Sequence, residues 1–91
     1  MAKYKYTNKI EEIWEKAPIC YCNGGDCSEN NHRLCGICSG TIMYGSHESV
    51  ESQRNSKFAW NTDHIIPKWN GGTNDINNLQ AVHIVCNRIK N

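Results

Sequence analysis

Apolar residues recur at helical spacing near the start of the chain, at Ile10, Ile13, Trp14 and Ala17. A period of about 3.6 residues is typical of an amphipathic helix whose apolar face packs in the core. Thr7 or Asn8 can cap the first turn, and Pro18 ends the pattern because proline cannot continue a helix. The pattern therefore predicts a helix over residues 7 to 17.

The second half of the chain has the composition of two strands and a short helix. The first predicted strand runs from Lys57 to Ile66, and Pro67 and the Gly71-Gly72 turn end it. A second strand is expected near residues 78 to 84. Residues 85 to 90 are long enough for only one or two helical turns, starting near Cys86. The predicted order is strand, glycine-containing loop, strand, short helix.

Two polar segments lie between the predicted elements. Residues 19 to 40 are rich in Cys, Gly, Asn and Ser, a composition typical of loop, and metal is the natural centre for such a loop to fold around. Residues 46 to 57 are also polar. Ser46 could cap a short helix there, or the segment could be a mobile loop, and the pattern leaves both open.

The composition predicts one small domain with a thin core. The chain has 91 residues, 38% of them hydrophobic, and a mean hydropathy of -0.68. So small an apolar core needs an additional stabilising link, such as a disulfide or a bound metal, and the six cysteines are the candidates. The N-terminus has no apolar signal region and no apolar run approaches the ~18 residues of a membrane span. We therefore expect a cytoplasmic protein whose reduced thiols bind metal rather than form disulfides.

Two ligand pairs share one spacing and predict a structural zinc site. Cys35 and Cys38 form a CxxC knuckle, and His83 and Cys86 form an HxxC pair. Together they make a Cys3His set, which leaves no open position for chemistry at the metal. The CxxC could alternatively be a redox pair, but no βαβ pattern accompanies it.

A second zinc set is possible among the remaining thiols, formed by Cys20, Cys22, Cys27 and His32. Its spacing is irregular, and free thiols or another pairing of the six cysteines remain alternatives. His47 has no partner at ligand spacing, so we interpret it as a solvated surface residue.

The C-terminal segment resembles the HNH nuclease family, whose core is the ββα-metal (His-Me) finger. The resemblance rests on motifs in one order: D63-H64-I65-I66-P67, G71-G72, N78-L79-Q80 and H83-x-x-C86-N87-R88-x-K90. It covers residues 63 to 90 and reaches Cys35 through the zinc knuckle. It implies an α+β fold in which residues 35 to 91 form the finger. Residues 1 to 34 lie outside the resemblance, and their own pattern predicts an N-terminal helix and a Cys-rich extension. The family often has Cys where this chain has His83, and both ligate zinc.

The resemblance implies a role for each motif residue. Asp63 and Asn87 would hold a single divalent cation, and their hard oxygen atoms suit Mg2+ or Mn2+. His64 would be the general base that takes a proton from water. Asn78 would hydrogen-bond across the loop and fix the backbone that aims the histidine.

Positive charge lies mainly toward the C-terminus, where residues 54 to 91 carry five Lys or Arg against two Asp or Glu. Candidate phosphate contacts are Arg88, Lys90, Lys68, Arg54 and Lys57, although each could equally be a solvated surface charge. Trp60 is expected in the core. Trp69 could be core or a base-stacking platform.

We interpret the chain as a metal-dependent endonuclease that acts on DNA. It is expected to work as a monomer or homodimer and to have no membrane partner. One site per chain would nick a single strand, so double-strand cleavage needs a dimer or two nicks. The alternative is a zinc-binding module that grips nucleic acid or a protein without cutting. A pure binding module, however, has no physical reason to keep Asp63, His64 and Asn87 together.

Overall fold

The computed structural model describes residues 6–20 and 31–90. Within these ranges lie α1 (Asn8–Lys16), β1 (His32–Leu34), β2 (Thr41–Met43), β3 (Trp60–His64), β4 (Leu79–His83) and α2 (Ile84–Lys90). Short 3-10 turns occur at Tyr44–Ser46, Glu51–Gln53, Lys68–Asn70 and Ile76–Asn78. The strands form two antiparallel hairpins, β1–β2 and β3–β4, so the fold is α+β as the sequence predicts. No helix in these ranges is long and apolar enough to cross a membrane.

Helix α1 confirms the first prediction. The Thr7 hydroxyl accepts a hydrogen bond from the Ile10 backbone N–H, at 3.3 Å, and so caps the first turn. The apolar face buries Ile13 and Trp14. Helix α1 therefore joins the core through the stripe that defined it in the sequence.

The β3–β4 hairpin and α2 form the predicted strand, loop, strand and helix. In the hairpin Trp60 pairs with His83 and His64 pairs with Leu79. Because α2 begins at Ile84, immediately after β4, it packs against both strands of the hairpin. The first strand is shorter than predicted, since residues 57 to 59 and 65 to 66 lie outside it.

The prediction of loop throughout residues 19 to 40 is wrong for β1. His32–Leu34 pairs with Thr41–Met43, and Arg33 lies opposite Ile42. Strands of three residues are too short to give a periodic signal, which explains why the pattern missed them. Their hairpin turn carries Cys35 and Cys38.

One core joins α1 to both hairpins. Trp60 is fully buried, as expected, and its ring centroid lies 5.1 Å from that of Trp14. Ile42 and Val82 contribute further fully buried side chains from β2 and β4. Cys35, a predicted zinc ligand, also belongs to this core, at 1% exposure.

The interpretation of His47 as a solvated surface residue is wrong. His47 is only 4% exposed, and its ring packs edge-on against Trp60, with 4.6 Å between ring centroids. Its Nδ1 lies 2.9 Å from the Ser49 hydroxyl. The residues around His47 in the sequence are polar and do not indicate burial, because its aromatic partner Trp60 is 13 positions away. Ser46 lies within a 3-10 turn rather than capping a helix.

The burial of His47 predicts a pH-dependent stability. Burial lowers the pKa of His47 in the folded state, whereas the unfolded imidazole titrates near its usual pKa of about 6.5. The unfolded chain then binds more protons below that pH, so the free energy of unfolding should fall as the pH decreases from 6.5 to 5. We expect His47→Phe to remove this contribution in urea titrations of the zinc-loaded protein. Equal pH slopes in both proteins would contradict the expectation.

Candidate metal centre and active site

Four metal-ligating side chains converge where the β1–β2 turn meets the junction of β4 and α2. They are Cys35, Cys38, His83 and Cys86, and their ligand atoms all lie within 4.8 Å of one another. The first two lie on the turn, His83 ends β4, and Cys86 lies in the first turn of α2. The structure thus brings together the four residues that the spacing predicts, and the cluster could hold a zinc ion.

The His83 ring is oriented by a hydrogen bond on its far side. Its Nε2 lies 2.7 Å from the Thr41 carbonyl oxygen, which can only accept, so Nε2 carries the proton. Its Nδ1 then faces the thiols, 3.2 Å from the Cys38 sulfur and 3.8 Å from the Cys86 sulfur. A metal-binding histidine usually has such a partner on its other nitrogen. The spacing of the ligands in the sequence does not identify Thr41 as the hydrogen-bond partner of His83.

Backbone N–H groups surround the Cys35 sulfur. Those of Ile37 and His83 lie 3.4 and 3.3 Å from it. Burial alone would raise the pKa of the Cys35 thiol, but hydrogen bonds from the backbone lower it to about 7. This environment favours the thiolate, which is the form that binds metal.

The other ligands also fit a cation. Burial, together with the neighbouring Cys38 and Cys35 sulfurs, raises the pKa of the Cys86 thiol to about 12. A thiolate among other sulfurs therefore needs a positive ion at the centre, and three sulfurs with one imidazole nitrogen match the donor set of structural zinc. Gly40 permits the close packing, because a Cβ there would lie 3.1 Å from His83 Cε1.

The possible second zinc set is only partly described. Cys22 and Cys27 lie outside the described residues. The Cys20 side chain is buried, with its sulfur 3.9 Å from the Thr41 hydroxyl, and His32 lies on β1. A second zinc therefore stays a prediction.

A separate pocket of about 230 Å³ lies where β3 meets α2. Its walls include Asp63 and His64 from the end of β3 and Asn87 from α2. The remaining lining residues are Thr62, Pro67, Lys68 and Trp69. The structure therefore places the three motif residues that the sequence predicts for chemistry around one cavity.

The Asp63 carboxylate is buried, and two side chains stabilise its charge. The residue is 2% exposed, and its Oδ2 accepts hydrogen bonds from Gln80 Nε2, at 2.8 Å, and Lys90 Nζ, at 2.7 Å. Lys90 also donates to the carbonyl oxygens of His64 and Ile65, at 2.8 and 3.2 Å. A buried carboxylate needs such partners. Lys90 thus fastens α2 to the end of β3, and a contact from it to phosphate stays a prediction.

His64 is oriented by a residue that the sequence did not reveal. Its Nε2 lies 2.8 Å from Asn74 Oδ1. Since an amide oxygen accepts and cannot donate, Nε2 carries the proton and Nδ1 keeps a lone pair. Asn74 lies ten positions beyond His64 in an exposed loop, where an asparagine gives no signal of its own.

Asn87 and Asn78 make different contacts. The Asn87 amide nitrogen donates to Asn61 Oδ1, at 3.0 Å, and to the Thr62 carbonyl, at 3.2 Å, which holds the side chain against β3. Asn78 does not line the pocket. Its amide bridges the loop that follows His64, bonding Ile66 N–H at 2.8 Å, Ile66 carbonyl at 3.1 Å and Thr73 carbonyl at 2.8 Å.

Four of the five candidate phosphate contacts lie around two pockets. Lys68 lines the pocket that contains His64. Arg54, Lys57 and Arg88 line a second pocket of about 240 Å³ on another side of α2. Trp69 is 82% exposed, which excludes the core as its location.

Strands β3 and β4 and helix α2 thus form a ββα unit. The metal-ligand cluster lies where β4 joins α2, and the pocket lies where β3 meets α2. Residues 45–91, slightly more than half of the chain, match the HNH endonuclease family. The chain belongs to this family, whose members are generally nucleases acting on DNA. The matched segment contains the pocket and His83 with Cys86, while Cys35 and Cys38 precede it. Comparisons with curated proteins and with solved structures found no match.

The ligand geometry predicts that zinc holds the fold together. Cys38→Ala removes one of four ligands, and structural zinc in small domains contributes roughly 10 kcal/mol or more to folding. We expect the variant to lose that zinc, by mass-spectrometric metal analysis, and to show an unfolded circular dichroism spectrum at 25 °C. Ile37→Ala is the matched control, since Ile37 is a half-exposed residue of the same turn. A Cys38→Ala protein with unchanged zinc content and melting temperature would contradict the assignment.

Proposed function

We propose that this protein is a metal-dependent endonuclease that hydrolyses phosphodiester bonds of DNA. The observation that carries the proposal is that Asp63, His64 and Asn87 line one pocket in a chain of the HNH endonuclease family. Hydrolysis requires an activated water and neutralisation of the charge that develops on the phosphate and the leaving oxygen. Each requirement has a residue in this pocket.

Asp63 and Asn87 would hold the divalent cation. Gln80 and Lys90 bind Oδ2 of the Asp63 carboxylate, which leaves Oδ1 as the ligand atom, and Asn87 would contribute its amide oxygen. Two hard oxygen donors suit Mg2+ or Mn2+, with other positions left for water and phosphate. When bound, such an ion polarises the phosphate and stabilises charge on the departing oxygen.

His64 would act as the general base through Nδ1. Asn74 holds the proton on Nε2, so the nitrogen that faces away from Asn74 can accept a proton from water. Asn78 fixes the loop that follows His64, and a base displaced by about 1 Å can lose ~100-fold in rate. We assign Asn74 and Asn78 as positioning residues.

The zinc centre would fix the position of Asn87. Cys86 directly precedes Asn87, and a helix of seven residues has little stability of its own. With one proposed cleavage site per chain, each protein molecule would cut one strand per encounter, giving 5'-phosphate and 3'-hydroxyl ends.

The test is nicking of supercoiled plasmid by the zinc-loaded protein in Mg2+, Mn2+ or EDTA. We expect cation-dependent nicking, and we expect His64→Ala to lower its rate by at least ~100-fold because general base catalysis contributes about that much. The variant should keep its zinc content and melting temperature, since the His64 side chain lies outside the zinc cluster.

Asn77→Ala is the matched control. Asn77 is exposed in the turn Ile76–Asn78 and does not line the pocket, so its truncation should leave the nicking rate unchanged. A folded, zinc-loaded wild type that cuts neither plasmid, single-stranded nor branched DNA would contradict the proposal and favour a non-catalytic zinc-binding module.

A further inference from the structure

We propose that Trp69 stacks on a nucleobase beside the cleavage site, and that the substrate is DNA that is single-stranded or locally unpaired at that point. Selection of the cleaved substrate rests on the nuclease function proposed above, whereas the stacking contact itself can be measured without cleavage.

Trp69 is the only one of the three tryptophans that the fold leaves in solvent. Trp14 and Trp60 are 3% and 0% exposed, whereas Trp69 is 82% exposed. Tryptophan is enriched at binding interfaces because it combines a large apolar ring with a polar N–H, so an exposed indole on a pocket wall is suited to contact a partner. Trp69 lines the pocket that contains Asp63, His64 and Asn87.

The backbone that carries Trp69 is held firmly. Trp69 is the central residue of the 3-10 turn Lys68–Asn70, and the N–H groups of Asn70 and Gly72 both bond the Pro67 carbonyl, at 2.9 Å. Gly71 closes the turn with a φ of 88°, a left-handed conformation that favours glycine. At Gly72 a Cβ would lie 1.7 Å from the Ile66 carbonyl oxygen, so this close approach also requires glycine.

The chemistry of the pocket wall indicates what covers the indole. A phosphate that reaches His64 is followed within one nucleotide by a base, and Lys68, next to Trp69, supplies a cation for the adjoining backbone. Aromatic side chains stack on any base because every base has a π-face. Inside an intact duplex both faces of a base are occupied by its neighbours. Away from duplex ends, a base must therefore be unpaired or displaced before it can stack on Trp69.

Tryptophan fluorescence provides the direct test. The other two tryptophans are buried, so quenching by DNA should report mainly on Trp69. Zinc-loaded His64→Ala protein would be titrated with oligothymidine of about ten nucleotides, a length typical of single-strand sites. We expect quenching by the oligonucleotide, much weaker quenching by a duplex of equal length, and none by an abasic strand of equal charge.

Variants separate stacking from charge. Trp69→Ala should weaken oligothymidine binding, measured by anisotropy of a labelled strand, by about 10-fold to 100-fold, which corresponds to the loss of one stacked base. Trp69→Phe should restore most of the affinity because it keeps a π-face. Ile66→Ala is the matched control, since Ile66 is an exposed apolar residue of the same loop that does not line the pocket.

The outcomes distinguish this inference from the proposed function. Quenching with the expected ranking of variants supports stacking even if no cleavage is ever found. Absence of cleavage would overturn the nuclease function alone. Equal quenching by abasic and normal strands, or unchanged binding in Trp69→Ala, overturns the stacking contact. If the wild type cleaves DNA and Trp69→Ala leaves the ratio of single-strand to duplex cleavage rates unchanged, the substrate assignment is overturned while the nuclease function stands.

Discussion

The turn that carries Cys35 and Cys38 contacts the junction between β4 and α2, and this contact joins the two hairpins to the final helix. Gly36 N–H bonds the Ala81 carbonyl at 3.0 Å, and His83 N–H approaches the Cys35 sulfur at 3.3 Å. Four ligand atoms meet at the same place. In a chain with so few apolar residues, a metal at this point would tie both hairpins and the final helix together.

This anchoring also defines the pocket. Helix α2 is only seven residues long and is held at its start by the ligand cluster and near its end by the Lys90 bond to Asp63. Asn87 lies between these two attachments, facing β3 through Asn61 and Thr62. The two sites therefore have complementary roles in our account: the sulfur cluster holds the helix, and the oxygen-lined pocket beside it carries the proposed chemistry.

Local patterns predicted much of this arrangement. The CxxC and HxxC pairs and the amphipathic α1 are visible because their residues are close in sequence. The contacts of Asn74 with His64, Gln80 with Asp63 and Thr41 with His83 depend on strand register and loop path, which spacing does not reveal. The sequence around His47 predicts a surface residue, and this prediction is wrong because its aromatic neighbours come from distant parts of the chain. The roles of the pocket residues stay predictions.

The proposed hydrolysis requires a hard divalent cation between Asp63 and Asn87, separate from the zinc. The most direct measurement is an electron paramagnetic resonance titration of the zinc-loaded protein with Mn2+, repeated on Asn87→Ala. We expect one Mn2+ per chain that leaves the zinc in place, and loss of this binding in the variant while its zinc content is unchanged. If no Mn2+ binds to the zinc-loaded protein, or if Asn87→Ala binds it equally well, this cation site is ruled out.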